Sequence, residues 1–414
     1  MRTTVSIVQT DISACPDCGA VVEIKNIRDG YSLSCPRCKV ILAESKKDSI
    51  NRTFAFSFTG LMFFFPACVL PILELNILGL TGECTMVRGV VQIFENGFIG
   101  LAGLVLLCSI LIPCIVFSLL LFIAISVKLS FYTGFLIRAL KFYQHLKQWA
   151  MLDVYMLGVI IAFIKMRDLG EISVDLGFYC FSGVLVCGLI STLVFDPKLV
   201  WAKIDSAVSD SVEKPRQGEP VLCRTCRKLC YNDLPDFCLR CNSRLFKRKP
   251  ESISRTWALI VTGFLLLIPA NICPITYLIY HGAGKSDTIL SGISGLIRDD
   301  LIPIAILVFV ASIIVPLVKL MGLSLLLLSI HFKWKLNKYQ CTLLYRFISL
   351  IGRWSMLDLF MLSILAALID MGRLSSFIPG IGATAFASVV VVSMLAVLAY
   401  DPRLLWDLEE DKNG

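Results

Sequence analysis

Charge and histidine are both scarce in this sequence, and each scarcity excludes classes of function. Only 17% of the 414 residues are charged, whereas soluble proteins carry about a quarter. With 57% hydrophobic residues and a mean hydropathy of +0.78, much of the chain is expected to face lipid. Three histidines, His145, His281 and His331, leave little for acid–base catalysis. We therefore predict a membrane protein that is not an enzyme.

Motifs for catalysis and secretion are also missing. The sequence contains no H-E-x-x-H, no G-x-S-x-G and no complete phosphate-binding loop, so no ATPase is recognisable. Met1 to Ile50 is polar and lacks the apolar core of a cleavable signal peptide. The net charge of +8 fits the positive-inside bias of cytoplasmic loops, and no nucleic-acid partner is predicted.

Cysteine, by contrast, is abundant, and eight of the 17 cysteines form C-x-x-C pairs. Two pairs close together supply four thiolates, which is typical of a closed, structural Zn²⁺ site, with a rubredoxin-like iron site as the alternative. Cys230 lies between two pairs as a spare thiol. The first predicted ribbon uses Cys15, Cys18, Cys35 and Cys38, and the second uses Cys223, Cys226, Cys238 and Cys241.

The chain also repeats itself. Trp149 to Tyr155 recurs, 205 residues later, as Trp354 to Phe360. Three further pairs match in the same order: Pro66–Pro71 with Pro269–Pro274, Ser109–Pro113 with Ser312–Pro316, and Asp196–Trp201 with Asp401–Trp406. Such a near-constant spacing indicates two copies of one unit.

Each copy contains four apolar runs that are long enough, or nearly so, to cross a bilayer. The predicted spans are 54–73, 98–125, 151–166, 174–195, 257–280, 303–330, 355–371 and 377–400. We predict an all-α polytopic membrane protein of two tandem parallel repeats, each a cytoplasmic zinc ribbon followed by four transmembrane helices. The predicted domains are ribbon 1–50, membrane repeat 51–201, linker and second ribbon 202–250, and membrane repeat 251–414.

Sidedness follows from counting spans and charges. Four spans per repeat bring both ends of a repeat to the same side, so the repeats are parallel. The loops Ser126–Ala150 and His331–Trp354 are basic and contain no acid. The positive-inside rule therefore places these loops, both ribbons and both termini in the cytoplasm.

Charged residues inside the spans are candidates for function, because an ion in hydrocarbon is costly. Asp153 and Asp358 occupy equivalent positions in the two repeats. Lys319 is expected at the depth of Asp358 and is expected to pair with it, with Ser312 and Ser355 completing a polar patch. The bland alternative is that Lys319 reaches the cytoplasmic interface and Asp358 caps a helix.

The first repeat has Val116 where the second has Lys319, so we expect the second repeat to hold the working site. Nearer the outer face, Lys165 aligns with Asp370. These opposite charges either pair across the axis that relates the repeats or are simply solvated.

Several segments together resemble a known family. They are the two ribbons, Pro269–Ile275, Asp287–Gly292, Gly352–Asp358 and Asp401–Asp407. Over nearly the whole chain, this set is similar to the paraquat-inducible protein A family. The resemblance implies a Gram-negative inner-membrane protein with zinc in its ribbons. It also implies a periplasmic MCE-domain partner that forms a tunnel, and the movement of phospholipids between two membranes.

The leading hypothesis is therefore a subunit that passes phospholipid to or from an outer partner, with Lys319 and Asp358 as candidates for proton coupling. A membrane redox protein using the remaining cysteines is one alternative, although the spans contain no C-x-x-C pair and no haem-type histidine pair. A partner-independent small-solute transporter of the parallel-repeat kind is the other.

Overall fold

The computed structural model of the chain describes residues 11–24, 31–44, 46–77, 80–166, 171–208, 220–231, 237–280, 283–298, 300–334, 336–369 and 375–407. These residues are mainly helical, as the sequence predicts, with short strands at both ends of the helical bundle.

The first half begins with a four-stranded ribbon and continues into the membrane helices. Its elements are β1 Asp11–Ala14, β2 Val21–Ile24, β3 Ser32–Ser34, β4 Ile41–Glu44, α1 Ser49–Val69, β5 Leu73–Ile77, β6 Leu80–Cys84, α2 Met86–Glu95, α3 Ile99–Leu106, a π turn Leu107–Leu111, α4 Ile112–Lys128, α5 Gly134–Leu146, α6 Leu152–Met166, β7 Glu171–Val174, α7 Leu176–Val194 and α8 Pro197–Val208.

The second half repeats this order. Its elements are β8 Pro220–Leu222, β9 Leu229–Tyr231, α9 Ser252–Ile272, β10 Thr276–Tyr280, β11 Ala283–Asp287, α10 Ile289–Arg298, α11 Ile302–Phe309, a π turn Val310–Ile314, α12 Val315–His331, α13 Lys338–Ile351, a 3-10 turn Gly352–Met356, α14 Leu357–Ile369, β12 Ser375–Pro379, α15 Ile381–Ala399 and α16 Leu404–Asp407.

The two halves agree closely in their element boundaries. Helices α1 to α4 and the π turn reappear 203 residues later with identical lengths, and α7 reappears as α15 at 205. Both π turns come just before a helical proline, Pro113 or Pro316. A proline clashes with the carbonyl four residues earlier, and the wider π turn relieves that clash.

Each of the eight predicted spans overlaps helical segments over most of its length, although the ends of some spans are strands. In the part of the chain that the structure describes, seven helical runs are long and apolar enough to cross a membrane. The eighth is α6, whose 15 residues extend about 22 Å. Its equivalent α14 has only 13 residues and reaches spanning length because it continues from α13.

The short helices α6 and α14 lie at the centre of the molecule and pack against each other. Gly158 lies at this contact, where a Cβ would be at an ordinary van der Waals distance of 3.5 Å from Cβ of Phe360. Nearly every described residue of α14 is buried, including Ala366 and Ala367. A helix enclosed by protein does not need the full length that contact with lipid imposes.

Two three-stranded antiparallel sheets cover the end of the bundle opposite the ribbons. Their strand orders are β6-β5-β7 and β11-β10-β12. We call this end the sheet side and the other the ribbon side. These strands were not predicted from the sequence, because they lie in loops of mixed polarity or at the end of an apolar run. Strand β10, for example, lies within the predicted span 257–280.

The two sheets are anchored to the bundle by close backbone contacts. The amide of Gly177, at the start of α7, donates to the carbonyl of Pro71 at 3.0 Å, and Gly382 donates to Pro274 in the same way. A Cβ at Gly177 would lie 2.3 Å from the carbonyl oxygen of Pro71. Only glycine therefore permits this joint between the first and last helices of each half.

Candidate metal centres and buried polar sites

The first ribbon brings its four cysteines together at two hairpin turns. Cys15 and Cys18 lie in the turn between β1 and β2, and Cys35 and Cys38 in the turn between β3 and β4. The Sγ atoms of Cys15 and Cys38 are 3.4 Å apart, and those of Cys18 and Cys35 are 3.6 Å apart. All four cysteines are buried.

The second ribbon has the same geometry. The Sγ atoms of Cys223 and Cys241 are 3.5 Å apart, and those of Cys226 and Cys238 are 3.6 Å apart. The four sulfurs lie within 4.8 Å of one another. Cys230 is outside this group, although its Sγ lies 3.9 Å from Cys238. The structure thus groups the eight cysteines as the sequence predicts.

Both clusters fit a four-coordinate metal ion. A tetrahedral site with metal–sulfur bonds of ~2.3 Å has sulfur–sulfur edges of roughly 3.8 Å. The shorter edges in both clusters are within a few tenths of an ångström of that value. Each cluster could therefore hold one ion with no free coordination position, which suits a structural role rather than catalysis.

Each ribbon packs against the half that it does not precede. The cysteines of the first ribbon share a hydrophobic cluster with second-half residues such as Leu326 and Trp406. Those of the second ribbon share one with first-half residues such as Leu140 and Trp201. Within the sequence, nothing in the order of ribbon and spans indicates this exchange.

Ionic contacts hold the first ribbon in this crossed position. Arg346, on α13, forms an ion pair with Asp17: its Nε donates to Oδ2 of the carboxylate at 2.8 Å, and its Nη2 lies 2.7 Å from the same oxygen. Its Nη1 donates to the carbonyl of Cys38 at 3.1 Å, and Nη2 lies 3.3 Å from Cys38 Sγ. Arg37 adds a stacking contact, with its guanidinium carbon 4.5 Å from the centre of the Trp406 ring.

The second ribbon has an equivalent of the Arg37 contact, and it also has an ionic contact with the half that it precedes. Arg240, which corresponds to Arg37, forms an ion pair with Asp205 and lies 5.4 Å from the ring centre of Trp201. Arg224, between the first two cysteines, forms an ion pair with the buried Asp401, which also binds Arg403. Burial opposes ionisation of Asp401, but Arg403 and Arg224 outweigh it and hold the pKa of this carboxyl below its usual range.

Lys319 is completely buried, but it does not bind Asp358. Its Nζ donates to Ser355 Oγ at 3.2 Å and to the carbonyl of Gly352 at 3.4 Å. Both acceptors belong to the 3-10 turn before α14, one turn earlier than Asp358. The expected Lys319–Asp358 ion pair is therefore absent among the ion pairs of the described residues, because this turn supplies Lys319 with nearer partners.

Asp358 faces a separate cavity of about 90 Å³. Lys165, from the end of α6, lines the same cavity, and its positive charge interacts with the Asp358 carboxylate. Ser312 also lies near this carboxyl, although its hydroxyl donates to the carbonyl of Val308 at 2.6 Å. Within a helix, side chains tilt toward the N-terminus, so Lys165 can reach inward from the sheet side. Asp358 is 6% exposed, and its Oδ1 has no hydrogen-bond partner among the described residues.

The proposed partner of Lys165 in the sequence analysis, Asp370, lies outside the described residues. The polar patch predicted in the second half is therefore divided in two. Ser355 belongs with Lys319, whereas Ser312 belongs with Asp358 and Lys165. Asp153 lines a different cavity, on the ribbon side of the first half.

Sequence reasoning missed the residues that connect parts of the molecule. Asp17, Arg224 and Arg346 lie among other polar or charged residues, where a single charge is unremarkable. Asp401 begins a repeated motif, but the repeat does not indicate its partners. One signal was available for Arg353, which directly precedes the repeated tryptophan Trp354 in a loop without acids.

The fold and the sites define a class of protein: a duplicated, multi-pass membrane bundle. It has two four-cysteine ribbons and buried charges at the contact between its halves. By sequence, the chain belongs to the paraquat-inducible protein A family, whose model matches residues 50–205 and 253–410. No solved structure matches the chain.

Relatives resemble the chain over almost its entire length. It is 32% identical to "Lipophilic envelope-spanning tunnel protein A" of Escherichia coli strain K12 over 98% of this chain and 93% of that protein. It is 28% identical to "Intermembrane transport protein PqiA" of the same strain, over 96% of both chains. A "Probable intermembrane transport protein" of Haemophilus influenzae is also 28% identical, over 96% of both chains. These names describe transport proteins and not enzymes, which agrees with the prediction of a non-enzyme.

Proposed function

We propose that this protein is the inner-membrane subunit of an intermembrane phospholipid transport system. It passes lipid to or from a periplasmic MCE-domain protein that forms a tunnel, with the ribbons and both termini in the cytoplasm. The names of the full-length relatives support an intermembrane transport role. The multi-pass bundle supports a place within the membrane. The sheet side would then face the periplasmic partner.

The observation that carries the transport mechanism is the position of Asp358. This acid is buried between the two halves, beside a cavity and opposite Lys165, and one of its oxygens has no hydrogen-bond partner among the described residues. A buried carboxyl in this state gains from taking up a proton. A change of its charge would alter the contact between α6 and the second half. Asp358 would therefore couple proton uptake to movement at the cavity.

Lys319 has a supporting role in this proposal. Its hydrogen bonds to Gly352 and Ser355 fix the 3-10 turn that leads into α14, the helix that carries Asp358. Zinc is the proposed metal of both ribbons, because four thiolates in a closed site select it in a structural role. The ribbons would fix the ribbon side of each half while the centre of the bundle moves.

The first experiment is an affinity purification from detergent-solubilised membranes, with lipid and metal analysis of the eluate. A co-purifying periplasmic MCE-domain protein, phospholipid and about two zinc ions per chain are expected. A protein without a partner, holding iron and showing visible absorbance, would overturn the proposal and favour a redox protein.

Coupling is tested separately, with protein and partner reconstituted in vesicles under an imposed proton gradient. Transfer of labelled phospholipid to the partner is measured for wild type, Asp358→Asn, and the exposed control Glu251→Gln. Asp358→Asn is expected to remove the response to the gradient, and the control is expected to keep it. A normal response in Asp358→Asn, at normal protein levels, would exclude coupling through this residue.

A further inference from the structure

A second cavity lies on the ribbon side of the first half, away from Asp358. Its volume is about 80 Å³, room for a group of a few heavy atoms rather than for a whole lipid. Its inner wall is apolar and includes Val116, Phe117 and Leu185. Lys147 from the end of α5 and Arg353 from the 3-10 turn form its charged rim. The cavity therefore lies where the two halves meet.

Positive charge from four segments converges on this rim. Lys46 follows the first ribbon, and Arg227 belongs to the second. Partial removal from water, and the charges of Arg353, Lys46 and Arg227, lower the pKa of Lys147. Repulsion of this kind is relieved when an anion lies among the cations.

The protein itself supplies little negative charge here. Among the described residues, Lys147, Arg227 and Arg353 form no ion pair, and Lys46 pairs only with Glu44, at 3.7 Å. Asp153 is the single acid among the described residues that line the cavity. The hydroxyls of Ser191 and Thr192, which also line the cavity, donate to carbonyls of their own helix. The free donors facing an occupant are therefore cationic.

The second half fills the equivalent space with its own cation. Lys319 stands at the position of Val116, and its ammonium binds Gly352, which is the equivalent of Lys147. Arg353 itself corresponds to the neutral Gln148. The shorter Val116 side chain leaves the cavity of the first half open, while cations from both halves surround it.

From this arrangement, we propose that the first-half cavity binds the phosphate of an anionic phospholipid taken from the leaflet on the ribbon side. The inference rests on the proposed function and adds to it a lipid class and a loading site. Basic pockets between membrane helices recognise anionic head groups through such charges. The apolar wall beneath the rim favours a phosphate that is joined to a glycerol and its chains over free phosphate.

The test is equilibrium binding of dihexanoylphosphatidylglycerol to the purified full-length protein, measured by calorimetry. Dihexanoylphosphatidylcholine and inorganic phosphate are separate probes. The double variant Lys147→Gln with Arg353→Gln is expected to lose about tenfold or more in affinity for the anionic lipid. Arg138→Gln with Lys141→Gln, on the same helix α5 but away from the rim, is the matched control and should bind like wild type. Val116→Met, which fills the cavity without changing charge, should also weaken binding.

Each outcome decides one part of the inference. Unchanged binding by both the rim variant and Val116→Met would overturn the site. Equal affinity for inorganic phosphate and for the anionic lipid would overturn the lipid and leave a site for soluble anions. Equal affinity for phosphatidylcholine would overturn the role of charge. Because binding is measured without transport, lipid binding in a protein that fails to transfer lipid would contradict the proposed function and not this site.

Discussion

Tyr155 and Phe360 occupy the same position in the two halves, and their rings touch at the centre of the molecule. The ring centroids are 5.4 Å apart, with an angle of 61° between the planes, and both residues are 1% exposed. Tyr155 also contacts Phe181 of its own half at 5.4 Å. The axis that relates the repeats therefore passes through an aromatic contact, and the halves share one core.

Truncation of this contact should destabilise both halves together. For Phe360→Ala we expect a loss of about 3–5 kcal/mol in the free energy of unfolding, because a buried aromatic side chain leaves a cavity. Phe65→Ala, at a position that is 76% exposed, is the control and should have a much smaller effect. Thermal unfolding in detergent measures both. Two separate transitions in Phe360→Ala, with one at the wild-type temperature, would contradict a shared core.

The first ribbon should lose its metal faster when Arg346 is removed. Arg346→Ala abolishes the charged hydrogen bond and ion pair with Asp17 and the contact with Cys38 Sγ. Hydrogen bonds to charged groups contribute about 1.5–3 kcal/mol, so zinc release should be about tenfold faster or more. Arg346→Lys should release zinc at a rate between those of wild type and Arg346→Ala, because lysine keeps the positive charge but lacks the several donors of the guanidinium.

Release of zinc from the loaded protein to a coloured chelator gives the rate. Arg255→Ala removes an exposed pair with Glu251 and should leave that rate unchanged. If Arg346→Ala and Arg255→Ala release zinc equally slowly, the crossed contact does not hold the ribbon.

In the second ribbon, two cysteines four residues apart test which thiols bind the metal. Cys226→Ala removes one of four converging sulfurs and should lower the metal content from about two ions per chain to about one. Cys230→Ala removes the neighbouring thiol that lies outside the four-sulfur group and should keep both ions. Elemental analysis of the purified variants distinguishes them. Loss of an ion in Cys230→Ala would mean that Cys230 is a ligand.

The repeats and the cysteine groups could be predicted from the sequence because both depend on local spacing. A C-x-x-C turn and an apolar run of twenty residues can each be recognised in the sequence without knowledge of the tertiary structure. The two π turns, which the sequence did not predict, recur at the 203-residue offset that the matched segments Ser109–Pro113 and Ser312–Pro316 had established.

Contacts between the halves could not be predicted in this way. The depth of the two residues along their helices predicted that Lys319 binds Asp358. This prediction was wrong because contact also depends on the direction in which each side chain leaves its helix. Lys319 instead binds the 3-10 turn at Gly352. The crossed ribbons depend on how the loops run in space, which the order of segments does not specify. The cavity beside Val116 could not be predicted either, because it depends on how the helices pack.

The buried Asp401 predicts how stability responds to acid. Because Arg403 and Arg224 hold its pKa below the unfolded value of about 3.9, its contribution is fully present above pH ~3.9. That contribution is lost as the pH falls through the lower, folded-state pKa.

At neutral pH, Asp401→Asn leaves Arg403 buried without its partner, and we expect the free energy of unfolding to fall by about 3 kcal/mol or more. Below the folded-state pKa the two proteins should converge, since both then carry a neutral side chain. Thermal unfolding of wild type and Asp401→Asn between pH 7 and pH ~2 measures the difference, which should begin to narrow below pH ~3.9. A difference that stays constant over this whole range would show that packing, rather than charge, is what Asp401 contributes.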